Sequence, residues 1–420
     1  MKKMGLSRYE FCQCKKFFSE FSVNTQSYGY IAALFISLLG SSLSMVAFPW
    51  FLLETTGDVK YTSIILGFRL LPVTLTLFYG TKFIDRFSRK SICVVSDLIS
   101  AILVIAIPVL YSVSMLNMGI LLFTICSLTA IEQINQAGLG AMIPDILKNA
   151  SISNERFNGI IGSLHNFGDL AGPSLAGVII VLAGSTMALV LNGVTFLVSS
   201  VILLVFIKSV PTTPDRNDKA SASDGLKESF SFIFSNPRTR YVIIPSILVN
   251  FLIFPLISLV LPYLAKNSIS SVVGLGFMIS SFGGGALFSS LIFAAIGNRF
   301  SKSWLLITCT LILAICFFLM VFAGNVYIII GLLFFVGLSV GLMGPLDDTI
   351  LQTSTPEQIL GRVLLAYSFL RFVTIPFAMV LFGFLLGSTS IENTFFYMVA
   401  LLGITLVWLL ANRRSYEAAQ

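Results

Sequence analysis

Charge is what this sequence has least of. Only 11% of its 420 residues are Asp, Glu, Lys or Arg, against about 25% in soluble globular chains. With 56% of residues hydrophobic, a water-soluble enzyme built on one core is excluded. Histidine is scarcer still: His165 is the only one. That rules out His-dependent hydrolysis at Gly337-Leu-Ser339-Val-Gly341, a nucleophile-elbow pattern on paper that lies inside an apolar helix rather than at a strand–turn–helix junction. No Gly-Lys-Ser/Thr string is present, which excludes a P-loop ATP pump. No cleavable signal peptide is expected, because the first 28 residues are mostly polar. The six cysteines are Cys12, Cys14, Cys93, Cys126, Cys309 and Cys316. Four fall in apolar runs, where free Cys behaves as a small hydrophobe, and Cys12-x-Cys14 lacks partner ligands. No disulfide, metal site or cofactor is expected.

What the chain has is apolar runs of membrane-crossing length. Twelve are read, at 29–53, 61–83, 91–113, 117–140, 157–183, 186–208, 241–264, 271–296, 303–323, 326–346, 361–386 and 393–412, each near the roughly 20 residues that span a bilayer as a helix. The expected organisation is a cytoplasmic tail over 1–28, a six-helix half over 29–208, a cytoplasmic linker over 209–240, a second six-helix half over 241–412 and a tail over 413–420. Within the linker, Leu226 to Phe234 reads as a short amphipathic helix lying on the membrane. Of the 26 Lys and Arg, 22 fall on the side of the two tails and the even-numbered loops; Lys60 and Lys266 fall on the other side, and Arg69 and Arg371 inside spans. The positive-inside rule then puts both termini in the cytoplasm. The formal charge of +7 is a topology signal and not a nucleic-acid footprint.

The two halves echo each other. Asp85-Arg86-Phe-Ser-Arg89-Lys90 is matched by Asn298-Arg299-Phe300-Ser301-Lys302-Ser303, with 298 − 85 = 213. Glu155…Gly159 is matched by Glu357…Gly361, with 357 − 155 = 202. Repeats of this length in a membrane chain are a transporter architecture.

Five charged side chains lie inside spans: Arg69, Asp97, Glu132, Asp169 and Arg371. At about 3 kcal/mol each near the bilayer centre, five unpaired charges cost on the order of 15 kcal/mol, comparable to a whole protein's stability. They are therefore expected to be paired, hydrated or off-centre, lining a space between the halves. Asp169 has His165 four residues earlier on the same helix face. The pair reads either as a proton carrier or as a structural hydrogen bond. Glu132, beside Gln133, Asn135 and Gln136, reads as cavity lining or as an acid tied to Arg69 or Arg371. Asp97, two turns into its span, is expected to be wet from the cytoplasm and part of a gate. Asp347 and Asp348 are expected to be solvated at a helix end. The glycines of the eighth and tenth spans fit close helix packing or hinges.

The string Gly80-x4-Asp85-Arg86-x2-Arg89-Lys90 between the second and third spans resembles the loop signature of the major facilitator superfamily. Gly159-x8-Gly168-x3-Gly172-Pro173-x2-Ala176-Gly177 resembles the exporter motif of that superfamily, with Ala176 where glycine is usual. An arginine common in the fourth helix of relatives is missing; Glu132 lies in that region. Phe51-Leu-Leu-Glu54-Thr-Thr-Gly57, Ser96-Asp97-Leu98-Ile99 and Glu357-Gln-Ile-Leu-Gly361-Arg362-Val363 resemble the macrolide-efflux and siderophore-exporter branch. The resemblance implies an all-α integral membrane fold of twelve helices in two six-helix pseudo-repeats. It also implies proton-coupled efflux of a hydrophobic or amphiphilic small molecule by alternating access, in the cell (inner) membrane. Asp85 would face the start of the eleventh helix, and Arg86 and Arg89 would bridge acids across the same seam. The expected partners are small-molecule substrate, protons and lipid, with no nucleic acid; a monomer is expected. An importer, a lipid flippase of the same fold and a non-transporting membrane sensor are the alternative readings.

Overall fold

The structure, a computed structural model, describes residues 25–74, 88–147, 154–207, 222–296 and 301–418. In hydrocarbon every backbone polar group must find an internal partner, so helices are the available solution for isolated spans. The first half contains α1 (Thr25–Thr56), α2 (Val59–Phe68), α3 (Arg89–Ser112), α4 (Met118–Leu147) and α5 (Asn154–Phe206). After α6 (Ala222–Ser235), the second contains α7 (Pro237–Pro255), α8 (Val272–Ile296), α9 (Lys302–Val321), α10 (Val326–Ser354), α11 (Glu357–Val373), α12 (Ile375–Ser388) and α13 (Ile391–Ala418).

Ten of the described helical stretches are long and apolar enough to cross a membrane. The stretch Gly159–Phe206 has 48 residues, about 72 Å at 1.5 Å per residue, more than twice a bilayer core of about 30 Å. It breaks at Gly184, whose φ of 86° is open to glycine and disfavoured for other residues, so α5 supplies two spans. With α2, the described part of the second span, twelve crossings result, and the two-half architecture expected of the sequence is present.

Local chemistry sets the ends. Asp58, Ser88, Asn236 and Asn325 each accept a hydrogen bond from a backbone N–H of the first turn that follows, satisfying donors that helix starts leave free. Beyond Pro255, α7 runs on through two π turns, Leu256–Val260 and Ala265–Ile269, and ends where Ser270 takes a left-handed conformation at φ 54°.

Within each half the helices bury their apolar faces on one another. α1 lies along α5, and α3 packs on both α4 and α5; α8 lies along α10, and α9 packs on α10 and α13. Outward faces stay apolar and exposed, as at Leu182, Phe123 and Val407, which suits lipid. α6 turns one apolar side to protein, while Phe234 stays exposed. Ile233 is fully buried with Leu351, Val363, Ala366 and Tyr367, and Phe230 meets Phe369 edge-on at 6.1 Å. α13 carries on to Ala418, with Tyr416 stacked 4.6 Å from Tyr241.

Candidate functional site

The charges expected inside the spans are all present there, in distinct surroundings. Arg69 caps the end of α2. Its guanidinium lies 5.5 Å over the ring of Phe48 on α1 and within electrostatic range of Glu132 on α4. Both side chains are surrounded by protein yet half-buried, as expected of groups lining an internal space. Glu132 thus has Arg69 as its opposite charge.

Asp97 departs from expectation. It is buried, with one carboxylate oxygen accepting from Asn135 Nδ2 and the other from Ser199 Oγ at 2.7 Å. It ties α3 to α4 and α5 inside the first half and is not wet. Depth along its own helix misled, because burial is decided by the two neighbouring helices that close over it.

Asp169 and His165 share a face of α5, but the His165 ring turns Nδ1 to the Ile161 carbonyl, at 3.0 Å. The Asp169 carboxylate is exposed and has no hydrogen-bond partner among the described residues.

In the second half, Asp347 also overturns the expected solvated helix end. α10 continues past it to Ser354, and Asp347 is buried, while Asp348 is exposed. Asp347 Oδ2 accepts from Ser246 Oγ on α7 and from the Tyr367 hydroxyl on α11 at 2.8 Å. Arg371 lies 5.4 Å over the Tyr367 ring and within electrostatic range of Asp347. The repeat spacing could have found this cluster: 367 − 165 = 202 and 371 − 169 = 202. His165 and Asp169 of α5 therefore correspond to Tyr367 and Arg371 of α11.

The exporter motif makes two different contacts. Gly168 and Gly172 receive Ser42 of α1, inside the same half, and Ala176 is fully buried. Gly177 and Pro173 face α8 of the other half: a methyl on Gly177 would lie 2.9 Å from the Val272 carbonyl, and a methyl on Gly276 would strike the Pro173 carbonyl. Pro173 has no N–H to give the Asp169 carbonyl, and Gly283 packs its backbone there, 2.7 Å from a would-be methyl to that oxygen. The next N–H, of Ser174, donates to Ser280 Oγ at 3.1 Å. No residue of α5 other than Gly184 has non-helical dihedrals. The proline therefore loosens the ladder without breaking the helix, and α8 covers what it frees.

A parallel contact joins α2 to α12. Gly67 lies on Pro376 and Met379, Gly383 receives Ser63, and Lys60 lies over Phe384 at 5.7 Å. Lys266 of α7 donates to the Leu53 carbonyl at the end of α1. These contacts form a seam between the halves at one end of the molecule. At the other end, Gly159 and Gly162 on α5 and Gly361 on α11 have no described atom within 4 Å of where a side chain would start. Gly159 and Gly177 are about 27 Å apart along the helix. Asp169 lies between, where the seam begins.

Of the eighth- and tenth-span glycines, Gly285, Gly337 and Gly341 serve close packing, whereas Gly331 and Gly344 have no described atom within 4 Å. Gly285 and Gly337 would each place a methyl on a backbone carbonyl across α8 and α10. Of the loop signature, Gly80, Asp85 and Arg86 lie outside the described residues. Arg89 donates to the Ala141 carbonyl at 2.8 Å and Lys90 to the Leu204 carbonyl at 2.8 Å.

Comparison with known proteins follows the same outline. Residues 18–419 match the family described as transmembrane secretion effector. The multidrug efflux pump Tap of Mycolicibacterium fortuitum is 26% identical over 400 residues, covering 92% of this chain and 97% of that protein. Tap of Mycobacterium tuberculosis is 24% identical, covering 86% and 87%. Among solved structures, the nucleoside transporter NupG superposes with a TM-score of 0.74 at 12% identity, covering 92% of this chain and 98% of that one. An inward-facing bacterial homologue of the lysosomal transporter Spinster gives 0.71 at 13% identity, covering 94% and 98%. These structural likenesses concern the fold.

Proposed function

The chain belongs to the transmembrane secretion effector family of the major facilitator superfamily, and from that premise we propose that it exports hydrophobic or amphiphilic small molecules across the cell membrane, driven by inward proton movement. The curated relatives named as multidrug efflux pumps, matched over nearly their whole length, support the export of drug-like cargo. The observation that carries the mechanism is the one-ended seam. Contacts of α5 with α8 and of α2 with α12, helices of opposite halves, at one end of the molecule fit one state of an alternating-access pair. By the distribution of Lys and Arg the seam lies toward the outer side, and in this reading the state loads cargo from inside. Both termini lie in the cytoplasm, and the protein works as a monomer.

Asp169 is the coupling acid in this reading. It is the intramembrane carboxylate that is exposed and without a described hydrogen-bond partner, at the point where the open space meets the seam. A proton taken there neutralises a charge that the closing halves would otherwise desolvate. Glu132, held opposite Arg69, lines the same space and favours cationic or polar parts of cargo.

The test is transport in energised inside-out vesicles with a pH-sensitive dye and a panel of macrolides, lipophilic cations and siderophores. Dye recovery with one class, lost in Asp169→Asn at normal expression, supports the reading. Normal pH-driven export by Asp169→Asn removes Asp169 from the mechanism. A silent panel with folded protein turns attention to import, lipid flipping or sensing.

A further inference from the structure

Two buried aspartates are held in different ways. Asp97 has both oxygens occupied by donors, as a structural carboxylate should. Asp347 does not: Oδ2 takes two hydroxyls while Oδ1 is buried with no partner, and the Nε of Arg371 is likewise buried and unpartnered. An acceptor and a donor left open in the interior call for an occupant. Asp347 and Arg371 line one cavity of about 50 Å³ with Ser246, Asn250 and Gly344. A water needs roughly 15 Å³ of such space, so the volume suffices, and Ser246, Asn250, Asp347 and Arg371 put polar side chains in the wall. Gly344 in its wall has no described atom within 4 Å of where a side chain would start, so water has a way in.

We propose that this cavity is a second proton-exchange site, at which Asp347 takes a proton on Oδ1 through water held between it and Arg371 and thereby lets Arg371 go. The proton comes from hydronium in the solution on the open side and leaves water. The ionised carboxylate holds the guanidinium by charge; the neutral acid holds it only through water, and the Tyr367 ring is then its remaining partner. The groups facing Asp347 are few. Arg371 and Tyr367 come from α11, Cys309 from α9 and Asp348 from the next position on α10, while α7 contributes the hydroxyl of Ser246. Arg371 is the one cation among them. It lies three residues before Thr374, where α11 gives way to α12 and the seam with α2 begins. Release of Arg371 is therefore a local event at the place where the halves join. This site rests on the proton-driven reading above only for its place in the cycle; its chemistry is independent of any cargo.

The experiment is an infrared titration of the protein in liposomes without substrate, following protonated-carboxyl absorption from alkaline to acidic buffer. One component of the parent spectrum is expected to vanish in Asp347→Asn. The same component should persist with altered frequency in Tyr367→Phe, which removes one donor and keeps the acid. In Arg371→Gln it should grow in at higher pH, because the cation that opposes protonation is gone. Superposition of the Asp347→Asn and parent titrations would overturn the proposal. Should Asp347→Asn not fold, an unchanged component in folded Tyr367→Phe overturns it instead. Failure of the efflux reading shows separately, as absence of probe transport in vesicles, and leaves this titration intact.

Discussion

α5 and α11 are the same helix twice, and they have been put to different uses. At one repeat spacing, His165 and Asp169 of the first stand where Tyr367 and Arg371 stand in the second. In α5 the acid is exposed without a described hydrogen-bond partner, and the imidazole bonds its own helix. In α11 the cation rests on the tyrosine ring, and the tyrosine donates to a buried aspartate. The helix ends nearest the seam differ as well. α5 passes its proline unbroken, covered by Gly283 and Ser280 of α8, whereas α11 gives way at Thr374 and resumes as α12. A duplicated frame has thus kept its geometry while opposite charges occupy equivalent places. One half carries an exposed acid and the other a cation resting on a tyrosine ring, and the cycle proposed above assigns the two halves separate parts.

The largest effect should come from removing what the two helices share, their contact across the seam. In Gly276→Leu the new side chain meets the Pro173 carbonyl, so the joined end is forced apart. Efflux should fall by at least about tenfold, since more than 1.4 kcal/mol is at stake in such a clash. A cysteine at Ser280, protected in the parent, should react with an impermeant maleimide added from outside. Gly331→Ala, where no described atom lies within 4 Å, should leave both unchanged.

On stability rather than transport, the contrast to break is that between a held and a free carboxylate. Asp97→Ala leaves Asn135 and Ser199 without their acceptor, and two charge-assisted hydrogen bonds are worth about 3–5 kcal/mol together. Thermal unfolding in detergent should show that loss, while Asp169→Ala should unfold within about 1 kcal/mol of the parent. Equal losses would dissolve the contrast. A double-mutant cycle of Arg69→Met and Glu132→Gln should then give a coupling of about 0.5–3 kcal/mol, against a smaller one for His165 and Asp169, whose ring bonds its own helix instead. The smallest effect is expected at Lys266→Met, which removes one bond to the Leu53 carbonyl. About 1 kcal/mol is lost from the joined end, roughly a fivefold shift toward the opposite state, readable by the same maleimide.

The loss of charge and the length of the apolar runs were enough to read the spans, because a bilayer leaves a backbone few other ways to hide its polar groups. The turn at Gly184 was legible as a break between two runs. The five intramembrane charges were legible for the same energetic reason, and so was the need for partners. Asp347 was not, because its run was read as ending at 346, one residue short of it, and a carboxylate at a helix end is ordinarily solvated. The repeat carried a hint of the cluster in Tyr367 and Arg371, but a tyrosine in a membrane helix is too common to stand out.

By itself, then, the sequence determined the class, the number of crossings, the duplication and which residues bear intramembrane charge. All of these follow from composition and spacing along one dimension. The tertiary structure decided which charges are free and which are held: Asp97 closed by Asn135 and Ser199, Asp347 half-closed, Asp169 open. It also decided that the exporter motif faces two different neighbours. Partnership of this kind depends on which helices lie side by side and how each is rotated, and in a lipid-filled surround that is set by small-residue contacts between helices far apart in the chain.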